Sequence, residues 1–400
     1  MTDRLYYLDS YLRSFEAQIL STQPRGKAFA VVLDRTAFYA EGGGQLYDLG
    51  VLSDGQTAAQ VLNVQDESGQ IVHLLDCPLA GTRVSGEINW SRRFDLTQQH
   101  TGQHILSQAF YQLFKAETVS VHMTENTCTL DLARHLNADQ HEQVEELANR
   151  IAQENRPVIA VFVGDEELAR MPLRKPPADK HEKIRIVEIK DFDWSACGGT
   201  HVRATGEVGA VKIIRAERRG GEQRIEFMCG MRAVRDYRWK NQSLLSLAAQ
   251  FTVKDNELSA KIQSIAEENK ETRRQLNFAR AQLVAYEADR LWNDAGSDGA
   301  FRLISKTFTD RPLDEARQLA LRLKEKQATV VLFAVAGEKP NLIFARSADL
   351  PGDMGKLLRE VSAAFGGRGG GQPEMAQGGV ANGSDLAGVL QMAIEKIRTG

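Results

Sequence analysis

Two pairs of potential metal ligands stand out in this sequence. His100 and His104 occur in QHTGQHIL, and Cys197 and His201 occur in SACGGTHV, so each pair has an i, i+4 spacing. Three imidazoles and one thiolate form a ligand set that is suited to zinc. The pairs lie about a hundred residues apart, so only folding can bring them together. We therefore predict one zinc site, assembled from two segments of the chain.

The context of the two pairs makes them more specific than either pair is alone. Two glycines separate Cys197 from His201 and allow the backbone to bend, so that both side chains can turn inward. Four protein ligands are typical of a closed, structural zinc site, whereas a catalytic zinc usually keeps one position open. The sequence therefore leaves open whether the metal activates water or only organises a pocket.

The first of two glycine-rich segments is Thr36–Gln45, which reads TAFYAEGGGQ. Gly43 and Gly44 allow a ligand to approach the backbone closely, and Gln45 can read a polar group on that ligand. A β-turn without a ligand is the alternative interpretation.

The second glycine-rich segment is GGRGGG at 366–371, in which Arg368 stands among five glycines. Successive backbone N–H groups in such a loop can form an anion nest, to which Arg368 would add a charge. A flexible loop is the alternative. No GK[ST] follows, so this is not a Walker loop.

Composition and charge narrow the class of protein. The 400 residues carry a net charge of −3, so no global charge indicates nucleic acid binding. Between Lys212 and Lys240, nine Lys or Arg and four Asp or Glu give a local net charge of +5. This strip faces either phosphates or only solvent. The four cysteines form no CxxC pair, and neither a signal peptide nor a membrane-spanning run is present, which predicts a reduced, cytoplasmic protein.

Hydrophobic periodicity predicts the elements that position these residues. Short apolar runs at Phe29–Asp34 and Val61–Val64 indicate strands, and helical periodicity over Asp95–Phe114 places His100 and His104 on one helix face. We predict a multidomain α+β protein with the following parts: a small N-terminal β-barrel at 1–90, an α+β metal-binding domain at 91–232, a helical hairpin or coiled coil at 233–295, and an α/β domain at 296–400.

A heptad pattern runs through the helical segment. Its seam alternates steps of four and three residues and consists of Leu258, Ile262, Ile265, Asn269, Thr272, Leu276, Ala279, Leu283 and Tyr286. An intramolecular helical hairpin and a dimeric zipper explain this seam equally well.

The motifs together resemble a known family. TAFYAEGGGQLYDLG, QHTGQHIL and CGGTHV, in this order, resemble the editing half of alanyl-tRNA synthetase. GGRGGGQPEMAQGG resembles the C-terminal domain of that enzyme, which is also found on DHH phosphoesterases. The likeness covers nearly the whole chain, but the aminoacylation domain is missing. This architecture is similar to the long form of the freestanding AlaX-type proteins, which edit mischarged tRNA in trans.

The resemblance implies a reaction and a set of roles. It implies zinc-dependent hydrolysis of the ester that joins serine, and possibly glycine, to tRNA(Ala), in a deacylase domain at 91–232. The zinc ligands of the family match His100, His104, Cys197 and His201. By the same resemblance, Gln45 lines the amino-acid pocket and Thr36 reads the serine hydroxyl. The C-terminal domain and the helical segment would bind the tRNA and support a homodimer.

Three other functions compete with the deacylase hypothesis. A non-catalytic tRNA-binding protein with a structural zinc has the same ligands. A synthetase fragment that acts only with a partner enzyme is also compatible with these motifs. A phosphoesterase is disfavoured, because the sequence contains no Asp-His-His motif.

Overall fold

The computed structural model describes residues 1–174 and 184–399. The chain divides into two compact units, Met1–Leu247 and Ala248–Gly400. Within the described residues, no helix combines the length and the apolar character that crossing a membrane requires.

The N-terminal unit begins with a closed six-stranded barrel, which confirms the predicted β-barrel. Its strands follow the order β2-β3-β7-β6-β5-β8, and short strands β1 and β4 pair in parallel beside it. Alternating burial in β8 is typical of a barrel wall, with one face inside and the other outside. The strands are β1 (Asp3–Arg4), β2 (Ser14–Arg25), β3 (Ala28–Leu33), β4 (Arg35–Thr36), β5 (Gly50–Ser53), β6 (Ala58–Glu67), β7 (Gln70–Leu75) and β8 (Arg83–Ile88).

Helix α1 (Trp90–Phe114) follows the barrel and starts earlier than the periodicity from Asp95 predicted. The side chain of Asn89 accepts a hydrogen bond from the Arg92 N–H at 3.2 Å, which caps the helix at this earlier point. Lys115 adopts a left-handed conformation and ends the helix. The i, i+4 pair of Trp90 and Phe94 was the available signal for this first turn.

The rest of the N-terminal unit is α+β. Two antiparallel sheets, ordered β14-β15-β10-β9 and β11-β12-β13, accompany α1 and α2, and one apolar core includes residues from all these helices and both sheets. The elements are β9 (Thr118–Met123), β10 (Cys128–Leu132), α2 (Ala138–Gln153), β11 (Val158–Val163), α3 (Asp165–Leu168), β12 (Ile184–Ile189), β13 (Asp193–Ala196), β14 (Val211–Arg219) and β15 (Glu222–Cys229).

Two long helices, α4 (Met231–Gln250) and α5 (Leu258–Asp294), occupy the segment that was predicted to be helical. Along the heptad seam Leu258 is buried, whereas Leu283 and Tyr286 are 69% and 73% exposed. The helices are therefore confirmed, but the hairpin and the dimeric zipper both stay predictions.

The C-terminal unit contains a mixed six-stranded sheet ordered β16-β17-β18-β19-β21-β20, with helices on both faces. Strands β17 and β18 are parallel and every other neighbouring pair is antiparallel. The elements are β16 (Ser297–Asp298), β17 (Phe301–Phe308), α6 (Leu313–Lys324), β18 (Thr329–Val335), β19 (Asn341–Arg346), α7 (Met354–Ala364), β20 (Arg368–Gln372), β21 (Met375–Gly379) and α8 (Leu386–Thr399).

Residues 368–379 form a β-hairpin, so the predicted anion nest or flexible loop was wrong for 368–371. Strand β20 pairs with β21 in the register Arg368↔Gly379, and its backbone is extended rather than coiled around an anion. A Cβ on Gly369 would lie 2.2 Å from Leu358 Cδ2 of α7. The strand therefore requires glycine because a helix packs directly on its backbone.

Candidate metal centre

Helix α1 contributes the first half of the site. His100 and His104 are 2% and 4% exposed, and their ring centroids lie 5.2 Å apart on one face of the helix. The i, i+4 spacing places the two rings one above the other, as the sequence predicted. These two histidines form a rigid pair on a buried helix.

The loop after β13 contributes the second half. Cys197 Sγ lies 3.4 Å from His100 Nε2 and 3.3 Å from His201 Nε2. A Cβ on Gly199 would lie 2.1 Å from His100 Cε1, so only glycine lets the loop approach the helix this closely.

The structure thus brings the four predicted ligands together. Their ligand atoms all lie within 4.8 Å of one another, and no other cluster of this kind occurs within residues 1–174 and 184–399.

The orientation of the imidazole rings tests whether these residues fit a metal ion. In each ring Nδ1 lies beside a polar side chain, which leaves Nε2 free to face the centre of the cluster. The pairs are His100 with Gln45 Oε1 at 2.7 Å, His104 with Asp193 Oδ2 at 3.2 Å, and His201 with Thr101 Oγ1 at 3.2 Å. Outer partners of this kind are typical of metal-binding histidines. The donor set and its outer partners therefore fit a metal ion.

The electrostatics of the cluster favour an ionised thiol. Burial alone would raise the pKa of Cys197, but His100 and His201 bring it well below its usual range. Burial lowers the pKa of His201 to about 3. Although burial opposes a charged ring, the hydrogen bonds with Asp193 and Cys197 raise the pKa of His104 to about 9. The thiolate of Cys197 and the neutral ring of His201 are the protonation states that zinc binding requires, whereas His104 would release a proton when a metal binds.

Of the residues of the first glycine-rich segment, all of which the structure describes, only Gln45 hydrogen-bonds to a candidate ligand. Gln45 is fully buried beside His100. Gly44 has a φ of +83° and lies against the backbone of Val121, whereas Gly43 has open space around it. The glycine segment therefore joins the metal centre through its last residue.

Thr36 is fully buried at β4, the short strand beside the barrel. Its hydroxyl lies 2.8 Å from His73 Nε2 and accepts a hydrogen bond from Phe38 N–H at 3.0 Å. Because Nδ1 of His73 donates to the Val31 carbonyl, the Thr36 hydroxyl donates to Nε2. Arg368 belongs to the C-terminal unit, on β20.

Three sequence families match parts of the chain. The tRNA synthetases class II (A) family matches residues 11–92, the threonyl and alanyl tRNA synthetase second additional domain matches residues 184–226, and the DHHA1 domain matches residues 302–399. The second of these includes both ligands of the CGGTH loop.

Relatives extend the likeness to the full length. The alanyl-tRNA editing protein AlaX-L of Pyrococcus horikoshii is 31% identical over 100% of this chain and 99% of its own length. This chain belongs to the AlaX-L family of alanyl-tRNA editing proteins. The alanine–tRNA ligases of Methanosarcina acetivorans and Pyrococcus furiosus are 30% and 31% identical over 99% of this chain, which spans 44% and 43% of their lengths. The C-Ala domain of Aquifex aeolicus alanyl-tRNA synthetase, a solved structure, is 26% identical and covers 27% of this chain and 99% of its own, with a TM-score of 0.25.

Sequence reasoning missed Asp193 and Arg185, which hold the candidate ligands of this AlaX-L family chain. Asp193 is 1% exposed, accepts a hydrogen bond from Ser195 Oγ at 2.8 Å, and lies 3.4 Å from Arg174 Nε. Arg185 donates to the carbonyls of Cys197 and Gly199 at 2.7 and 2.9 Å, which fixes the ligand loop. The sequence offered one signal for Asp193, which is an acidic residue four positions before the ligand Cys197. It offered no signal for Arg185.

A buried ion pair joins the barrel to α1. Arg93 Nε donates to both oxygens of Asp48 at 3.0 and 2.9 Å, and both side chains are fully buried. Asp48 also accepts a hydrogen bond from Tyr39 N–H at 2.6 Å. This pair ties the segment that carries Gln45 to the helix that carries His100.

The basic strip between Lys212 and Lys240 is largely neutralised within the N-terminal unit. Six of its nine cations lie within ion-pair distance of a carboxylate: Lys212, Arg215, Arg219, Arg224, Arg232 and Lys240. These pairs favour the interpretation of a solvated surface over a continuous phosphate-binding strip.

Proposed function

We propose that this chain hydrolyses the ester bond of mischarged tRNA(Ala), with seryl-tRNA as the main substrate and glycyl-tRNA as a second one. The observation that carries the proposal is the buried cluster of His100, His104, Cys197 and His201, with every imidazole held by an outer partner. A relative that matches over its full length is an alanyl-tRNA editing protein, which supports the same reaction.

We propose that the metal is zinc, because three imidazoles and one thiolate suit it better than they suit magnesium or calcium. When bound, zinc supplies Lewis-acid stabilisation of the negative charge that develops at the ester carbonyl. The reaction adds water to this ester and releases the free amino acid and the 3′-hydroxyl of the tRNA.

The chain's own residues orient the site. Gln45, Asp193 and Thr101 hold the three rings, and the CGGTH loop closes against α1 through Gly199. We propose that Thr36 reads the serine hydroxyl and that the backbone of Gly43 and Gly44 borders the amino-acid pocket. A hydrolytic site is needed because a synthetase pocket for alanine discriminates poorly against a small hydroxyl or a missing methyl group.

The C-terminal unit would bind the tRNA body. Arg368 is exposed on β20, and a phosphate contact there would add affinity without changing chemistry. The exposed seam of α5 would pair with a second copy of the chain. We expect Arg368→Ala to raise KM and to leave kcat nearly unchanged.

The decisive experiment is incubation with Ser-, Gly- and Ala-charged tRNA(Ala), with and without a zinc chelator. We expect hydrolysis of Ser-tRNA(Ala), slower hydrolysis of Gly-tRNA(Ala), and loss of both activities after chelation. Cys197→Ala should lose zinc and activity together. Cys77→Ala, which removes a cysteine from the barrel, is the matched control and should keep both.

A second candidate function is tRNA binding with a purely structural zinc. It is favoured by the four protein ligands, because a closed set of four is typical of structural sites. Tight binding of tRNA(Ala) without any deacylation by the zinc-loaded protein would establish this alternative and overturn the deacylase proposal.

A further inference from the structure

We infer that Gln45 is a positioning residue of the metal centre, which holds the His100 ring, and not a residue that reads the amino acid. The inference rests on the proposed metal centre. It assigns the glycine segment of the barrel a specific task, which is to deliver one amide group to a ligand on α1.

The first observation is that the hydrogen-bonding capacity of the Gln45 amide is almost entirely used within the protein. Its Oε1 accepts from His100 Nδ1 at 2.7 Å and from Thr200 N–H at 3.0 Å. Its Nε2 donates to Thr200 Oγ1 at 2.9 Å. Both lone pairs of the carbonyl oxygen are therefore occupied, and a single amide hydrogen remains. The side chain is also fully buried.

The second observation is that this amide joins both halves of the ligand set. It contacts His100 on α1, and it contacts Thr200, which precedes the ligand His201. Thr200 Oγ1 lies 2.8 Å from Thr97 Oγ1 on α1. Gln45 therefore stands at the junction of three segments, and its loss would release a ligand ring and the ligand loop together.

The third observation explains Gly44, the residue directly before Gln45. Gly42 and Gln45 exchange backbone hydrogen bonds at 3.0 and 3.2 Å, which forms a tight turn. The Gly44 carbonyl accepts from Met123 N–H at 3.0 Å, and a Cβ on Gly44 would lie 2.7 Å from the Val121 carbonyl oxygen. The turn is thus docked on β9, and glycine is required by this docking without any substrate.

The Gln45 amide affects metal binding through the tautomer of His100. A carbonyl acceptor at Nδ1 fixes the tautomer with the proton on Nδ1, so that the lone pair of Nε2 is free on the side of Cys197 Sγ, where a metal would bind. Removing such an outer partner typically lowers metal affinity about 10- to 100-fold. A residue that only read the substrate would leave metal affinity unchanged.

The test compares variants of the full-length protein in metal binding without tRNA. Gln45→Met keeps the side-chain volume but removes the acceptor, and Gln45→Glu keeps an acceptor for His100 and Thr200. We expect Gln45→Met to weaken zinc binding about 10- to 100-fold in a chelator competition and to alter the visible spectrum of the Co²⁺-substituted protein. Gln45→Glu should recover most of the affinity.

Gln99→Met is the matched control. Gln99 precedes His100 on α1 and is equally buried, but its amide bonds only to the backbone, to Cys229 N–H and C=O at 2.8 and 3.0 Å and to the Asp95 carbonyl. We expect this variant to lose stability while it keeps zinc affinity and the Co²⁺ spectrum. If Gln45→Met does not fold, Gln45→Asn, whose shorter side chain cannot reach His100, gives the same comparison.

Unchanged metal affinity and spectrum in a folded variant without the Gln45 acceptor would overturn the inference. So would a loss in Gln99→Met as large as in Gln45→Met. Deacylation is measured separately on the same proteins. A wild-type protein that binds zinc but does not hydrolyse Ser-tRNA(Ala) would refute the proposed function and leave the role of Gln45 standing.

Discussion

The buried ion pair between Arg93 and Asp48 should be one of the most sensitive points of the N-terminal unit. Replacing Asp48 with Asn keeps the shape and an acceptor for Tyr39 N–H, but it leaves the Arg93 guanidinium charged in a fully buried site. Breaking a buried pair on one side typically costs about 3–5 kcal/mol. Since a domain is commonly stable by about 5–15 kcal/mol, this loss is a large part of the total.

The expected loss of unfolding free energy is large because Arg93 keeps only uncharged partners in Asp48→Asn. Its other bonds go to the backbone carbonyls of Ser10 and Ala37, and neither carries a full charge that could replace the carboxylate. A double variant, Arg93→Met with Asp48→Leu, removes both charges, so it should be no less stable than Asp48→Asn, although two carbonyls and one N–H lose partners. The losses of unfolding free energy in the single variants Arg93→Met and Asp48→Leu should therefore add up to much more than the loss in the double variant.

Urea unfolding of the full chain, followed by tryptophan fluorescence at neutral pH, measures these losses. Zinc affinity is measured in parallel, because Asp48 lies three residues after Gln45, and we expect it to fall in Asp48→Asn. A loss below about 1 kcal/mol in Asp48→Asn would show that the charge is solvated or compensated elsewhere. Additive losses from Arg93→Met and Asp48→Leu would show that the two side chains act independently.

Two further predictions concern the barrel. Burial lowers the pKa of His73 to about 4 from a usual 6.5, so the fold favours the neutral ring. The stability from His73 is complete above pH 6.5 and falls as the pH approaches 4, by up to about 3 kcal/mol. Urea titrations should show a shallower loss in His73→Gln than in wild type, and parallel pH profiles would contradict this. We also expect Thr36→Val to reduce hydrolysis of Ser-tRNA relative to Gly-tRNA, by about 1–3 kcal/mol in transition-state stabilisation. Equal losses in kcat/KM on both substrates would assign Thr36 to the barrel network with His73 alone.

The sequence predicted those parts of the structure that depend on local spacing. The four ligands were visible because i, i+4 spacing places side chains together on a helix face or across a tight loop. The strands predicted from the runs at Phe29–Asp34 and Val61–Val64 lie at β3 (Ala28–Leu33) and within β6 (Ala58–Glu67). Both signals are carried by residues near one another in the chain.

Features that depend on distant contacts were not predictable in this way. Asp193 and Arg185 act on the ligands only because β12 and β13 pair beside α1. The glycines around Arg368 were interpreted as a loop, because the sequence does not show that α7 packs on that strand. A mobile loop and a close backbone contact both favour glycine, so only the tertiary structure shows which of the two reasons applies.

Helix α1 shows why a chemical function accounts for this arrangement better than packing does. A helix in a core would normally present apolar residues to its neighbours, yet nine of its buried side chains are polar or charged: Arg93, Thr97, Gln98, Gln99, His100, Thr101, Gln103, His104 and Ser107. Burying such groups costs free energy unless each is hydrogen-bonded. Gln98 and Gln99 bond to the backbone of distant segments, and the two histidines bond to Gln45 and Asp193. A polar network that is satisfied by residues from the barrel, the sheet and the CGGTH loop holds one geometry. The barrel and the α+β region are therefore best regarded as one unit that builds the candidate metal centre.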